Sequence, residues 1–218
     1  VEVVTTTGET WSGSHVVVTV PLGVLKSGAI EFDPPLPKEK VAAIDRLDMG
    51  NVERIVLRFE EQWWSAGDLL FVSAAQDGRF PFVVDFTADT GMPTLVAFYG
   101  GRYARALQAT QSDEEIVADL VSLLEEVHGG PAPSPIAHKV THWSTDPYSL
   151  GSYSYIPVGA SDTDFGLLAE PVGERLLFAG EATSFDHYQT VHGAMLTGLR
   201  EAKRLGVTQV RIPGLEEW

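Results

Sequence analysis

The sequence contains no cysteine among its 218 residues. A disulfide, a thiolate metal site, a cysteine nucleophile and a cysteine-linked cofactor are therefore excluded within it. Basic residues are also few, since 15 lysines and arginines stand against 30 aspartates and glutamates, for a net charge of −15. Because nucleic acids and anionic membranes bind basic surfaces, this balance argues against both as partners. It is compatible with a cationic substrate, and equally with an acidic solvated surface.

A long hydrophobic run is also missing. The longest apolar stretch, "VVVTVPLGVL", is too short to span a bilayer and is broken by Pro21. No signal peptide opens the chain, and a start at Val1 without methionine suggests material from the middle of a protein. We therefore expect a cytoplasmic protein without a membrane span.

Several sequence motifs that indicate a catalytic or ligand-binding site are absent as well. The sequence has no G-x-G-x-x-G, P-loop, G-x-S-x-G, H-E-x-x-H or EF-hand pattern. Its six histidines are scattered, and the spacing of His187 and His192 across a loop-to-helix boundary is a weak metal signal. We expect no metal site.

What the sequence does contain is a succession of strand patterns. Alternating residues around Gly8 and Gly13 predict a β-hairpin, and the run Val16–Val20 predicts a strand buried on both faces. Four later segments, separated by turn residues, predict a sheet of at least four strands: "NVERIVLRFEEQWW", "LLFVS", "PFVVDF" and "TLVAFYG".

Helix patterns interrupt these strands. The clearest predicts a helix over 113–128, with Ser112 and Glu115 as a capping box and Gly129 as its end. Its buried stripe is predicted to be Ile116, Leu120, Leu123, Leu124 and Val127. A shorter helix is predicted to begin at Pro37 and to bury Val41, Ile44 and Leu47. The order of elements indicates an α+β sheet domain attached to part of an α/β domain.

The segment "RLLFAGEATSF" predicts a short buried strand that ends in a turn. Gly180 allows the backbone to turn tightly, and Glu181 then emerges at the carboxyl end of the strand. Sheets of α/β proteins place ligand contacts at that end, and a carboxylate there suits the hydroxyls of ribose or ribitol. A solvated turn carboxylate is the alternative.

Thr190 is placed as the N-cap of a final helix. Its apolar and small residues recur at helical spacing, namely Val191, Ala194, Met195, Gly198, Leu199 and Ala202. The free N–H groups of the first turn favour negative charge on a ligand, and Gly193 would let that ligand come close. A surface helix packed through small residues is the alternative.

The stretch "HWSTDPYSLGSYSYIPVG" is rich in aromatic residues, with Trp143, Tyr148, Tyr153 and Tyr155. Aromatic faces can sandwich an alkylamine or pack on a planar cofactor. Loop aromatics that cover the edge of a domain are the alternative.

Three blocks of the sequence together resemble the C-terminal half of the flavin-dependent amine oxidase family, which includes polyamine oxidases, monoamine oxidases and histone lysine demethylases. They are "VVVTVPLGVLKSGAIEFDPPLP…GNVERIVLRFEEQWW", "THWSTDPYSLGSYSYIPVG" and "LLFAGEATSFDHYQTVHGAMLTGLREA". The resemblance implies a Rossmann-like FAD lobe over 1–48 and 161–206, a mixed-sheet substrate lobe over 49–160, and a tail over 207–218. The phosphate-binding G-x-G-x-x-G would lie upstream, so the N-terminal half of the same protein is needed to complete the FAD site.

The resemblance also implies site residues, position by position. Glu181 would contact the ribitol-phosphate part of FAD, and the start of the last helix would face the flavin. Tyr153 and Tyr188 would form an aromatic cage for the amine. The positions expected at the cofactor are Pro21, Trp143, Gly180, Glu181, Thr190, Val191 and Gly193.

One position departs from the family pattern. Many members have a lysine in the "GNVER" block that holds a water near the flavin, and this sequence has Arg54 there. Since arginine presents a wide planar fork instead of a compact ammonium, re-oxidation of the flavin by O2 is placed in doubt more than FAD binding.

The resemblance implies hydride removal from the carbon next to an amine, with imine hydrolysis and formation of H2O2 from O2. Two alternatives stay open at this point. One is a related FAD oxidoreductase of a non-amine substrate, against which "GSYSY" argues. The other is an incomplete flavin-type fold that serves as a binding module.

Overall fold

The structure is a computed structural model that describes residues 1–65, 69–71 and 79–209. Its elements confirm the mixed α and β class. The strands are β1 (Glu2–Val4), β2 (Thr10–Ser12), β3 (Val16–Val18), β4 (Asp48–Met49), β5 (Val52–Arg58), β6 (Leu69–Phe71), β7 (Phe82–Asp85), β8 (Thr94–Gly100), β9 (Ala137–Val140), β10 (Ser154–Tyr155) and β11 (Leu176–Phe178). The helices are α1 (Leu22–Ser27), α2 (Lys38–Arg46), α3 (Thr87–Thr90), α4 (Gly101–Thr110), α5 (Asp113–His128), α6 (Thr163–Ala169) and α7 (Val191–Arg204), with a 3-10 turn at Glu181–Thr183. None of the helices in the described ranges is long and apolar enough to cross a membrane.

The chain forms two compact units. The first contains Val1–Met49 together with the chain from Pro147 onward, and the second is Gly50–Asp146. The predicted lobe boundaries, 1–48 with 161–206 and 49–160, stay a prediction. The assignment of these units to a cofactor lobe and a substrate lobe stays a prediction.

The second unit is built on a five-stranded antiparallel sheet in the order β6–β7–β8–β5–β9. Its two long central strands pair along their whole length, from Val52 opposite Gly100 to Arg58 opposite Thr94. Alternate residues of β5 face a core that α4 and α5 cover. That core includes Ile55, Leu57, Leu95, Ala97, Leu107, Ile116, Leu120 and Leu124.

The predicted helix over 113–128 is confirmed, together with its caps. Ser112 Oγ accepts from the N–H of Glu115 at 3.3 Å, and a Glu115 carboxylate oxygen accepts from the N–H of Ser112 at 2.8 Å. Gly129 ends the helix with a φ of 76°. The prediction that Val127 is buried was wrong, because this side chain lies on the exposed side of the last turn.

The first unit contains a hairpin, β1 with β2, and a parallel pair in which Val17 lies opposite Leu177. The prediction that Val16–Val20 is a strand buried on both faces was wrong, since β3 ends at Val18 and is half-exposed. A strand in a parallel sheet is buried when other strands and helices cover it, and the described part of the chain gives β3 a single strand neighbour, β11.

The buried face of α2 also differs from the prediction. Val41 is exposed, and Lys40 is buried with 3% of its surface accessible. Its Nζ donates to the carbonyl oxygens of Leu167 and Leu168, at 3.0 and 2.6 Å, and lies 4.1 Å from the ring centre of Phe178. Lys40 therefore joins α2 to the carboxyl end of α6 through these hydrogen bonds. A pattern of apolar residues does not predict this contact.

Burial lowers the pKa of Lys40 from 10.5 to about 8. Between these values the unfolded chain holds a proton that the folded chain has lost, so stability rises with pH across this window. We expect the free energy of unfolding to increase by roughly 1–2 kcal/mol between about pH 7.5 and about pH 9.5, relative to a Lys40→Met variant. Urea unfolding at both pH values measures this difference.

Lys38→Met is the matched control for that comparison, because Lys38 is exposed at the start of the same helix. It should keep the pH dependence of the unchanged protein. An equal pH dependence in the Lys40 and Lys38 variants would show that Lys40 does not titrate in this window.

Candidate functional site

The connection from β11 to α7 is fixed by backbone that only glycine adopts readily. Gly180 has a φ of 135° and a ψ of 167°, and Glu181 begins the 3-10 turn directly after it. The N–H of Gly180 donates to Thr197 Oγ1 of α7 at 2.9 Å. The end of the strand is therefore attached to the middle of the helix, and Glu181 leaves the strand in a set direction.

The Glu181 carboxylate accepts three hydrogen bonds from its own unit. One oxygen accepts from the N–H of Ser154 at 3.0 Å, and the other accepts from Ser154 Oγ at 2.7 Å and from the N–H of Gln189 at 2.7 Å. Ser154 is fully buried. Glu181 thus connects the short strand β10 to the loop before α7, and the alternative of a solvated turn carboxylate does not describe it. The two predicted cage residues, Tyr153 and Tyr188, are next in sequence to the bonded residues Ser154 and Gln189.

The start of α7 has the predicted N-cap. Thr190 Oγ1 accepts from the N–H of Gly193 at 2.9 Å and donates to the carbonyl of His187 at 2.6 Å. A Cβ at Gly193 would overlap that same His187 carbonyl oxygen. The close approach that Gly193 permits is therefore made by the preceding loop of the chain itself, and not only by a ligand.

The predicted final helix is present, and its buried positions are Gly193, Thr197 and Glu201. Val191 is 90% exposed. Glu201 accepts from Arg200 at 2.5 Å and from Arg204 at 2.7 Å.

Arg200 extends this cluster to the strand. Its Nη2 donates to the carbonyl of Phe178 at 2.8 Å, and its Nη1 donates to the carbonyl of Thr183 at 2.9 Å. Polar contacts therefore set the position of α7 on β11, and the helix start with Val191 is left facing outward.

Three other predicted residues, Tyr188, Tyr153 and Pro21, belong to the first unit. The Tyr188 ring stacks on Phe165, with ring centres 4.6 Å apart and planes at 23°. Tyr153 is 36% exposed, and Pro21 is the residue before α1. One face of the Tyr188 ring is therefore used in the core of its unit.

Two predicted residues belong to the second unit. Arg54 lies on the face of β5 opposite the core, with its guanidinium carbon 5.3 Å from the ring centre of Phe98. Trp143 follows β9 and keeps 41% of its surface accessible.

The sequence interpretation missed Glu53, the residue before Arg54. Its carboxylate is fully buried and accepts from Thr141 Oγ1, from the N–H of Trp143 and from the N–H of Ser144. Strand alternation was the available signal, because Glu53 shares the core face of β5 with Ile55.

The spacing of His187 and His192 was a weak signal for a metal site in the sequence. The rings of His187 and His192 are 4.9 Å apart. Among the described residues, no group of three histidine, aspartate or glutamate side chains is arranged to hold a metal ion.

Substituting Gly193 tests the geometry at the start of α7. Gly193→Ala should lower the free energy of unfolding by about 1–3 kcal/mol, because the new methyl group overlaps the His187 carbonyl. Gly198→Ala in the same helix is the matched control, since nothing lies within 4 Å of its Cβ position. It should be stabilising by about 0.5–1 kcal/mol, and chemical denaturation measures both. Equal effects of the two substitutions would contradict this packing.

Comparison with known proteins identifies the family to which the chain belongs. Residues 1–206 match the family model described as flavin containing amine oxidoreductase. Lysine-specific histone demethylase 1 homolog 3 of Arabidopsis thaliana is 40% identical over 210 residues, which cover 94% of this chain and 13% of that protein. Histone demethylase-like protein A of Aspergillus fumigatus is 39% identical over 214 residues, covering 91% of this chain and 20% of that protein.

Solved structures share the fold. A triple mutant of putrescine oxidase superposes with a TM-score of 0.80 at 23% identity, covering 95% of this chain and 46% of that one. Wild-type putrescine oxidase bound to putrescine gives a TM-score of 0.77 at 24% identity, covering 91% and 44%. The chain therefore spans less than half the length of these relatives. It belongs to the family of flavin-containing amine oxidoreductases, whose cofactor is FAD.

Proposed function

We propose that the chain is the C-terminal portion of an FAD-dependent oxidase that acts on a small amine or polyamine. The observation that carries this proposal is the Glu181 anchor. A single carboxylate at the end of β11 ties together the loops of Tyr153 and Tyr188, beside the outward-facing start of α7. Two aromatic residues and a helix N-terminus brought to one strand end are what a planar cofactor and an alkylamine require.

The residues of the first unit fit FAD. The helix start at Val191 presents N–H groups that have no acceptor within a helix, and these favour a negative charge. Glu181 uses one oxygen for a single donor, so that oxygen retains a lone pair for a hydroxyl of the cofactor. Gly180 and Thr190 set the positions of these groups, and Pro21 and Trp143 remain predicted contacts.

The chemistry that FAD supplies when bound is acceptance of a hydride from the carbon next to the amine. The chain's own residues bind the amine and orient it. Tyr153 and Tyr188 hold the amine between ring faces, where aromatic π-systems attract an alkylammonium group. The start of α7 is fixed by Thr190 and Gly193 before any ligand arrives, so its partial positive charge needs no rearrangement to stabilise developing negative charge.

The N-terminal half of the same protein is proposed to complete the FAD site. In the described part of the chain, β3 and β11 form a parallel sheet of two strands, and parallel sheets are stable when further strands and helices cover them. The chain also covers only 13% of the Arabidopsis relative and 46% of a putrescine oxidase chain. We expect the isolated chain to be inactive.

A methylated lysine side chain is a second candidate substrate. Several relatives at 37–40% identity are named as homologs of lysine-specific histone demethylase 1, whereas the putrescine oxidase structures are 23–25% identical. Both substrates present an amine on a flexible alkyl chain, which an aromatic cage accepts. The net charge of −15 is compatible with either cation.

The test uses the full-length protein. We expect a yellow protein with flavin absorption bands, and H2O2 release that depends on an added amine. Putrescine, spermine and a dimethyl-lysine peptide, assayed in parallel, distinguish the two substrate classes. A colourless protein that does not take up added FAD would contradict the oxidase and favour a binding module. A yellow protein that is reduced by none of the three amines would favour a non-amine substrate.

Arg54 is proposed to limit the reaction with O2. Arg54→Lys should raise the rate of flavin re-oxidation by about tenfold, equivalent to ~1.4 kcal/mol in the barrier, because a compact ammonium can order one water. Stopped-flow mixing of the reduced enzyme with O2 measures this rate. Arg58→Lys is the matched control, since Arg58 lies on the same outward face of β5. An unchanged rate in Arg54→Lys would remove Arg54 from the oxidative step.

A further inference from the structure

The helix α7 carries polar side chains on its buried face. Thr197 and Glu201 are 4% and 1% exposed, and they follow Gly193 at intervals of four residues. Residues at this spacing lie on one face of a helix, so the face of α7 that packs on its own unit is mostly polar. Hydrogen bonds hold it there, because Thr197 Oγ1 accepts from the N–H of Gly180 and Glu201 is paired with two arginines.

The opposite face of α7 is apolar. Met195, Leu199 and Ala202 recur at intervals of four and three residues, which places them together on the helix and away from Thr197 and Glu201. These three residues are the outer face of α7. Met195 is 37% exposed, and Leu199 and Ala202 are half-buried. A helix at a water surface has the reverse arrangement, with its apolar stripe toward the core. The outer face therefore has the composition of a surface that another element covers.

The sheet on which α7 packs is incomplete in the described part of the chain. Arg200 attaches α7 to β11 through the carbonyl of Phe178, and β11 pairs in parallel with β3, which is half-exposed. A parallel sheet is stable when further strands extend it and helices cover it. Parallel strands are joined by crossover connections that are usually helices, and these lie on the faces of the sheet. A strand added to this sheet therefore brings a helix that can lie beside α7.

The length of the relatives indicates the source of such a helix. The chain covers 46% of a putrescine oxidase chain with the same fold and 13% of the Arabidopsis relative. A second copy of the chain is a poorer occupant, because three side chains of one helix bury far less than the roughly 800 Å² per partner of a stable interface. An anionic membrane is a poorer occupant as well, because the net charge of −15 opposes its approach.

We propose that the outer face of α7 is the docking surface for a helix from the N-terminal part of the same protein, which packs beside α7 on the sheet of β3 and β11. The existence of that N-terminal part rests on the proposed function. Val191 does not belong to this docking surface, since it lies at the helix start that is proposed to face the cofactor.

The first measurement identifies the occupant in the full-length protein. A photo-crosslinking amino acid, benzoylphenylalanine, replaces Met195, and mass spectrometry after irradiation locates the peptide to which it is joined. We expect a crosslink within one chain, between position 195 and a peptide upstream of Val1. A crosslink that is confined to residues 1–218 overturns the proposal.

The second measurement determines whether the outer face is covered. Residues 1–218 contain no cysteine, so Met195→Cys introduces one there, and mass spectrometry of the labelled peptide reports its reactivity with maleimide. In the folded full-length protein we expect labelling to be about a hundredfold slower than in urea, because a covered side chain reacts only after local opening. Lys203→Cys is the matched control, since Lys203 is exposed in the last turn of the same helix and outside the outer face. Its labelling rate should be close to the rate in urea.

The remaining outcomes distinguish the possible occupants. Equal labelling of Met195→Cys in the folded protein and in urea overturns the proposal, because the outer face is then open to water. A crosslink between two chains, or protection that is lost on dilution, overturns it in favour of a second copy. Protection that appears only with vesicles of phosphatidylcholine and phosphatidylserine overturns it in favour of a membrane surface.

Neither measurement depends on FAD. A colourless protein in which position 195 is covered by an upstream peptide would contradict the proposed function and support the docking surface. A yellow, active protein in which Met195→Cys is labelled as fast as in urea would support the proposed function and overturn the docking surface.

Discussion

A carboxylate that accepts backbone N–H groups of neighbouring segments is the interaction on which both units depend. Glu181 accepts from the backbone of Ser154 and Gln189 in one unit, and Glu53 accepts from the backbone of Trp143 and Ser144 in the other. Loops without regular hydrogen bonding need partners for their N–H groups, and a carboxylate provides several acceptors at one point. In each case the anchored loop carries an aromatic side chain that is predicted to bind a ligand.

The strands and the strongest helix were predictable because their signals are local. The capping box of Ser112 and Glu115 indicates the helix over 113–128. Apolar runs between turn residues indicate the strands β5 to β8. The helices α4 and α6 were missed, since neither has a side chain that caps its first turn. The strand–turn–helix arrangement around Glu181 followed from the sequence pattern, and the role of Glu181 at a cofactor remains a prediction.

What the sequence pattern did not reveal depends on contacts between distant segments. Lys40 is buried because α6 lies across it, and Glu201 is buried because Arg200 and Arg204 pair with it. Patterns of apolar residues assign such side chains to the surface. Glu201 is accordingly a buried position of α7 that the recurrence of apolar and small residues did not indicate.

The contacts around α7 bear on how the proposed cofactor site works. A helix start stabilises negative charge best when its N–H groups already point the right way, because reorienting them during a reaction would cost energy. Thr190 and Gly193 fix the first turn through the chain's own atoms, and Arg200 fixes the helix on β11. The orientation of the helix start is therefore a property of the folded chain. A cofactor that binds beside it meets an electrostatic environment that was set when the protein folded.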